Sequence, residues 1–392
     1  MIIPAAKRLS SVQEHYFSRK LREIQRLAGQ GREIINLGIG NPDLPPSRAT
    51  VLALQQAASL ERNHGYQPYR GIPELRRALA DWYQQVYRVE LDPEAEILPL
   101  SGSKEGIFHI SMAFLNPGDR ALVPDPGYPA YASAARMAGA EAVFYPLSEA
   151  TGWLPDVTEL RRSDLLAVKL MWLNYPHMPS GAVAAAAHFR ELVEFAKERG
   201  ILLCHDNPYS LILNPAAPLS ILQIDGAMEC CLELNSLSKS HHMAGWRIGM
   251  AAGQKAYLDA ILTVKSNIDS GMFLPLQQAA VQALSNSAEW HERQNAVYRR
   301  RRELVYRLLD LLGFRYSQNS AGLFVWGRAP EEIPDVEAFT DELLRSAGIF
   351  VAPGIIFGQQ GRRYIRASLC VPEERLQGAL GRAQAFRALK ES

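Results

Sequence analysis

Lys239 stands in the run Asn235-Ser236-Leu237-Ser238-Lys239-Ser240, with Gly245-Trp246-Arg247-Ile248-Gly249 close behind. A lysine that forms a Schiff base must lose its proton near neutral pH, and desolvation and neighbouring positive charge help it do so. Hydroxyls and a guanidinium placed together suit a phosphate dianion, which arginine binds through two parallel hydrogen bonds. The combination reads as a pyridoxal-phosphate (PLP) site with Lys239 as covalent anchor. Taken alone, Ser-x-x-Lys is a weak signal and a loop lysine is ordinarily just solvated. The arginine and the glycines give this one its weight.

Such a site needs a carboxylate to keep the pyridine nitrogen protonated, so that the ring can act as an electron sink. Asp206, in Cys204-His205-Asp206-Asn207-Pro208-Tyr209, closes an apolar stretch where a buried carboxylate needs a positive partner. Tyr209 can donate to the ring phenolate oxygen. A strand-end aspartate is more often a cap or turn residue, and its place upstream of Lys239 in an α/β pattern is what favours the functional reading. The phosphate also needs a cradle. Ser101-Gly102-Ser103-Lys104-Glu105-Gly106 follows a strand and opens a helix over 107–115, whose free N–H groups and Ser103 hydroxyl could hold it. The plainer alternative is an ordinary N-cap serine.

Around these residues the chain alternates short apolar strands with helices. Strands are expected at 34–37, 97–100, 120–123, 142–145, 167–173, 201–205, 230–234 and 248–252. A helix over 17–27 follows a mobile arm, Pro73 opens a second amphipathic helix, and His188 to Arg199 ends a third at Gly200. Strands apolar on both faces and joined by helices indicate an α/β fold with a mostly parallel sheet flanked by helices. Beyond it come a long charged helix over 288–312, strands at 323–326, 350–352 and 364–367, a helix over 336–345 and a final helix from Pro372. These make a small α+β domain. The expected division is an N-terminal arm and part of the small domain over 1–45, a large PLP-binding domain over 46–287, and a small C-terminal domain over 288–392. The run Arg299-Arg300-Arg301-Arg302 on the charged helix is read as a solvated or domain-bridging face.

The chain has 392 residues, 47% apolar and 21% charged, which suits a large packed core and not a disordered or membrane protein. Lys+Arg 42 against Asp+Glu 41 leaves no basic excess, so nucleic acid is not the expected partner. Cys204, Cys230, Cys231 and Cys370 have neither metal-ligand spacing nor a disulfide framework, as expected in a reducing cytoplasm. The first residues turn polar too soon for a signal peptide, and no apolar run approaches the roughly 20 residues of a membrane helix.

Read together, these segments resemble fold-type-I PLP enzymes, specifically class I/II aminotransferases, nearly end to end. The residues carrying the resemblance are Gly38-Ile39-Gly40, Gly65-Tyr66-Gln67-Pro68-Tyr69-Arg70-Gly71, Gly102 to Gly106, and Pro124-Asp125-Pro126-Gly127-Tyr128-Pro129. Asp206 with Tyr209, Ser236 to Arg247, and Tyr364-Ile365-Arg366 complete the series. The resemblance implies that Lys239 anchors PLP and shuttles the proton, Asp206 pairs with the ring nitrogen, Tyr209 holds the phenolate oxygen and Tyr128 stacks on the ring. It puts Ser103, Ser236, Ser238 and Arg247 on the phosphate, with Tyr66 and Ser270 reaching over from the partner subunit of a homodimer. Arg366 is implied as the clamp on the substrate α-carboxylate, and Gly40 as a point of close backbone approach.

The lead-in Leu173-Asn174-Tyr175-Pro176 and the Gly102–Gly106 segment look most like the LL-diaminopimelate aminotransferase branch, with bacterial aspartate and alanine aminotransferases close by. Lys104 then matches a lysine that meets the distal carboxylate of dicarboxylic substrates, against the plain reading of a solvent-facing helix-start lysine. Tyr16 matches a substrate-contacting tyrosine of the N-terminal arm. The expected reaction moves an amino group between an amino acid and a 2-oxo acid in two stages, a ping-pong scheme with glutamate/2-oxoglutarate as the common pair. A C–S β-lyase using the same constellation is the enzyme alternative, and a non-catalytic PLP-binding regulator a remote third.

One departure stands out. Relatives usually carry Asn-Pro-Thr-Gly where this chain has Met178-Pro179-Ser180-Gly181. Met178 thus replaces an asparagine that donates to the phenolate oxygen and the substrate carboxylate, and a thioether cannot donate. His177 is expected to be an exposed turn residue, with a small backbone shift as the route by which it could substitute.

Overall fold

The computed structural model describes residues 3–6, 8, 9 and 16–391. Helix α1 (Tyr16–Gly29) and the short strand β1 (Ile35–Asn36) come first, then helices α2 (Arg48–Ala58) and α3 (Pro73–Tyr87) and strand β2 (Ile97–Leu100). Next are α4 (Ser103–Phe114), β3 (Arg120–Asp125), α5 (Ala130–Met137), β4 (Glu141–Pro146), α6 (Val157–Arg162) and β5 (Val168–Leu173). Helix α7 (Ala186–Arg199) and strands β6 (Leu202–Asp206) and β7 (Cys231–Ser236) follow, then the single turn α8 (Leu237–Ser240), β8 (Gly249–Gly253), α9 (Lys255–Ser266) and α10 (Leu274–Leu284). The last part holds α11 (Ala288–Leu311), β9 (Arg315–Tyr316), β10 (Phe324–Arg328), α12 (Val336–Ala347), β11 (Ile349–Phe350), β12 (Ala352–Pro353), β13 (Tyr364–Ser368) and α13 (Glu373–Glu391).

Seven strands form the central sheet in the order β2-β8-β7-β6-β5-β3-β4. Only β8 runs antiparallel to its neighbours β2 and β7, so the sheet is mostly parallel. Side chains alternate across it: Leu170 and Trp172 of β5 join one apolar layer, Met171 and Leu173 the other. Helices cover both layers, which is why these strands are apolar on both faces. The register then gathers chemistry at one end. Ser236 pairs with Gly249 and Gly249 with Leu100, while Asp206 ends the adjacent β6. Ligands of open α/β sheets bind beyond such carboxyl ends.

A separate apolar core lies under β10, β12 and β13, packed by α11, α12 and α13. Its four-stranded antiparallel sheet has the order β12-β13-β10-β9, and β1 pairs in parallel with β11. The N-terminal segment is built into this part, since Leu37 donates to the Phe350 carbonyl at 2.7 Å and accepts from Ser368 at 2.7 Å. The single strand expected over 350–352 is two strands, β11 and β12, assigned to different sheets. Of the arginine run, Arg301 is buried and makes two bonds to Asp43, at 2.6 and 2.8 Å, and one to the Leu369 carbonyl. Arg301 is therefore not on a solvated face, and it ties residue 43 to the last part of the chain, while Arg300 pairs with Glu373 at the surface. Much of the arm expected ahead of α1 lies outside the described residues. All four cysteines are buried free thiols, and among the described residues no helix is long and apolar enough to cross a membrane.

Candidate active site

A cavity of about 570 Å³ opens between the carboxyl ends of the large sheet and the small antiparallel sheet. Lys239, Asp206, Tyr209, Tyr128, Ser103, Lys104, Ser236, Ser238, Arg247, Arg366 and Gly40 all line it. Residues far apart in sequence are thus brought to one place by strand ends and the loops beyond them.

Lys239 sits on α8, the turn that β7 runs into, and its Nζ donates to the Gly40 carbonyl at 2.6 Å. Burial pushes its ammonium pKa down, with Arg366 and Arg247 acting in the same direction and Cys370 and Asp206 opposing. Gly40 has no room for a side chain, because a Cβ would collide with the Phe324 ring.

Asp206 is buried, and one carboxylate oxygen, Oδ2, accepts from the Tyr131 hydroxyl at 2.9 Å. Its Oδ1 is buried with no hydrogen-bond partner among the described residues. Burial raises the carboxyl pKa to about 6, against the lowering effect of the Tyr131 bond. Asn174, at the end of the adjacent strand, donates to the Asp206 carbonyl at 2.6 Å and accepts from the Met178 amide at 2.8 Å. Tyr209 and Tyr128 flank this carboxylate, and burial raises both phenol pKa values.

At the opposite rim, α4 starts at Ser103 after Gly102, and no side chain caps it. Ser103 is therefore the first helical residue and not an N-cap, which leaves the helix N-terminus open toward the cavity. Gly249 permits this approach: a Cβ there would stand 2.7 Å from the Ser103 nitrogen. Ser236 Oγ donates to Ser238 Oγ at 2.9 Å, and Arg247 reaches Ser238 Oγ at 3.4 Å and the Ser101 carbonyl at 3.3 Å. Two hydroxyls, one guanidinium and a positive helix end converge here, a donor set suited to a phosphate dianion. Together with the unpartnered Asp206 Oδ1 and the lysine between, these residues fit PLP.

Arg366 lies on β13 with its guanidinium packed between two rings, 3.9 Å from the Phe324 centroid and 4.5 Å from that of Phe357. Its Nη2 donates to the Gly38 carbonyl at 2.7 Å, and its Nη1 points to Met178 Sδ at 3.1 Å. Burial lowers its pKa to about 10. Met178 thus faces the arginine directly.

Several expectations are corrected by this geometry. His177 is not an exposed turn residue: it is buried, with Nδ1 2.7 Å from Ser180 Oγ and Nε2 3.1 Å from the Pro126 carbonyl. Both ring nitrogens are thereby engaged, so it does not stand in for the missing asparagine. Tyr16 does not line this protomer's cavity; it packs with Leu27, Leu344 and Phe350, and among the described side chains of α1 it is Ser18 that lies at the cavity. The expectation for Tyr66 and Ser270 concerns the other subunit's site and is not contradicted: both are exposed and lie outside this protomer's cavity. Residues not anticipated are Tyr131, Asn174, Phe324, Phe357 and Ser18. Tyr131 had a signal, standing one helical turn beyond Tyr128; the two phenylalanines had none, since only tertiary packing brings them to Arg366.

The family model for aminotransferase class I and II matches residues 32–382. An LL-diaminopimelate aminotransferase of Dehalococcoides mccartyi is 41% identical over 384 residues, covering 98% of this chain and 99% of the relative. One of Moorella thermoacetica is 40% identical over 379 residues, covering 96% and 97%. Among solved structures, substrate-bound BacF from Bacillus subtilis matches with a TM-score of 0.95 at 36% identity, over 98% of each chain. Aspartate aminotransferase from Thermus thermophilus with maleate matches with a TM-score of 0.91 at 29% identity, over 98% of this chain and 100% of the other. With its lysine, carboxylate and arginine in one cavity and a match across nearly its whole length, the chain belongs to the class I and II aminotransferases.

Proposed function

We propose that this aminotransferase uses PLP and takes the amino group of LL-diaminopimelate, passing it to a 2-oxo acid such as 2-oxoglutarate in two half-reactions. The observation that carries the cofactor reading is the buried, unpartnered Oδ1 of Asp206 in the cavity that also holds Lys239 and Arg366. The donor reading is supported by the names and full-length likeness of the relatives. Lys104, exposed at the cavity wall, supplies a cation for the distal end of such a substrate.

Bound here, PLP would supply the electron sink that lets an amino-acid Cα shed its proton. The chain's own residues do the rest. Ser103, Ser236, Ser238, Arg247 and the start of α4 would hold the phosphate, and Asp206 would keep the ring nitrogen protonated. Tyr209 would donate to the phenolate oxygen, and Tyr128 would pack against the ring. Lys239, its ammonium pKa already lowered by burial, would take the proton from substrate Cα and deliver it to the cofactor carbon that bears the nitrogen, the reverse transfer serving the second half-reaction. Arg366 orients the α-carboxylate through paired N–H donors. A homodimer that completes each site with Tyr66 and Ser270 of the other subunit accounts for the 92% exposure of Tyr66.

The test is a donor panel with 2-oxoglutarate as acceptor, following glutamate formation. LL-diaminopimelate should exceed aspartate and alanine in kcat/KM by about tenfold or more. Equal rates on all donors would overturn the substrate assignment. Pyruvate and ammonia released from cystathionine, with no glutamate formed from any donor, would replace transamination with C–S lyase chemistry.

A further inference from the structure

Tyr131 lines the cavity but has no role in the reaction as set out above, yet its phenol is the one side chain bonded to the Asp206 carboxylate among the described residues. Its placement is over-determined. The ring stacks on Trp172 at a centroid distance of 4.9 Å and an interplanar angle of 7°, and meets Tyr128 edge-on at 5.6 Å. Tyr131 is fully buried on α5, and Trp172 is fully buried on β5. Asn174 meanwhile fixes the Asp206 backbone through its carbonyl. A carboxylate held by one oxygen and by its own backbone has little freedom left at χ2, and its other oxygen is presented in one direction.

We propose that Tyr131 is a positioning residue for the cofactor nitrogen: its hydrogen bond to Oδ2 fixes the Asp206 carboxylate and leaves Oδ1 as the acceptor for a protonated ring nitrogen. This rests on the PLP reading above and adds to it a residue that acts through Asp206. The bond also favours the ionised form of Asp206, because a hydroxyl donor stabilises a carboxylate more than a carboxylic acid. The other groups that act on this carboxyl are His205 beside it and Glu233 on β7, Lys239 on α8, and the phenols of Tyr128 and Tyr209. Of these, His205 and Lys239 favour ionisation and Glu233 opposes it. All of them remain when only the Tyr131 hydroxyl is removed.

The direction of the effect follows. With Tyr131 present the carboxyl titrates at about 6 and is mostly ionised at pH 7. Without the hydroxyl its pKa rises, the protonated fraction at neutral pH grows, and the pairing with a pyridinium weakens. Raising the pH restores it.

The experiment is equilibrium dialysis of the holoenzyme against graded PLP between pH 6 and 9, comparing wild type, Tyr131→Phe and Tyr145→Phe. Tyr145 is an equally buried tyrosine whose hydroxyl donates to the Trp172 carbonyl at 2.6 Å. Tyr131→Phe keeps the stacked ring and should raise the PLP dissociation constant about tenfold or more at pH 7, the ratio to wild type shrinking above pH 8. Tyr145→Phe should give a ratio that does not vary with pH. In an Asp206→Asn background, adding Tyr131→Phe should change affinity less than about twofold, since its target is gone. A Tyr131→Phe ratio near one, or one that is flat across the pH range, overturns the proposal while leaving the PLP reading intact. So does an undiminished effect in the Asp206→Asn background. A wild-type protein that takes up no PLP overturns both.

Discussion

The two walls of the cavity hold their charged groups by different physics. On the large-sheet wall, Asp206, Asn174, Ser236 and Ser238 are tied by hydrogen bonds of 2.6 to 3.1 Å among side chains and backbone. On the small-sheet wall, Arg366 is a buried cation cushioned by two aromatic faces, with a carbonyl and a thioether as polar neighbours. A hydrogen-bonded network fixes direction, whereas ring faces and a soft sulfur hold a cation without prescribing where its N–H groups point. The first wall therefore suits a permanent tenant and the second a ligand that comes and goes.

Perturbing each wall should separate them. Lys239→Ala, at the junction, should remove the visible absorption of the holoenzyme and lower turnover by about 10³-fold or more; retention of the band would break the assignment of the anchor. Arg366→Gln should raise KM for the amino donor by about 10 to 100-fold, through loss of charge-assisted bonds, while PLP content stays at wild-type level. If PLP content fell instead, the two walls would not be independent.

A third prediction concerns His177, which braces the loop between the walls. Burial holds its imidazole down at about 4, against about 6.5 in an unfolded chain. A base depressed in this way contributes stability that is fully present above 6.5 and lost as the pH falls toward 4. Between pH 7.5 and 5 the loss is about 2 kcal/mol. His177→Gln should therefore flatten the fall in Tm over that interval, and an unchanged slope would count against the buried neutral imidazole.

Met178→Asn should have the smallest effect. An amide there offers a donor in addition to Arg366, so KM should fall by less than about tenfold with kcat unchanged, the pattern of uniform binding. A rise in KM would show that the thioether beside Nη1 already serves the clamp better than an amide can.

Much of this was legible in the sequence, for physical reasons that can be named. Apolar runs such as 97–100 and 201–205 are buried on both faces, so pattern alone located β2 and β6 to within a residue. Lys239, Asp206, Tyr209 and Arg366 carry chemistry that is costly to place without purpose, and all four line one cavity. What failed was inference of exposure from local character. His177 lies among prolines and a glycine, which read as a surface turn, but the loop after β5 is covered from above by the Pro126 carbonyl and beside it by Ser180. The partners of Arg366 were hidden for another reason. Phe324 is its neighbour only through the pairing of β10 with β13, and Phe357 only through the short helical turn that follows β12. Tyr16 matched a pattern by type, while its helix turns that side chain toward Leu344 and brings Ser18 to the cavity.

The segment at 38–40 has one further consequence. Its two glycine carbonyls each receive a nitrogen the chemistry requires elsewhere: Gly40 receives Lys239 and Gly38 receives Arg366. The same stretch is joined to α11 through Asp43 and Arg301. It is a cloakroom for the two cations, and whatever draws either away alters how firmly the segment is held. By reciprocity, a change that tightens the segment from the α11 side makes both nitrogens harder to withdraw. Occupancy of the cavity and the seating of the N-terminal chain are then two readings of one equilibrium.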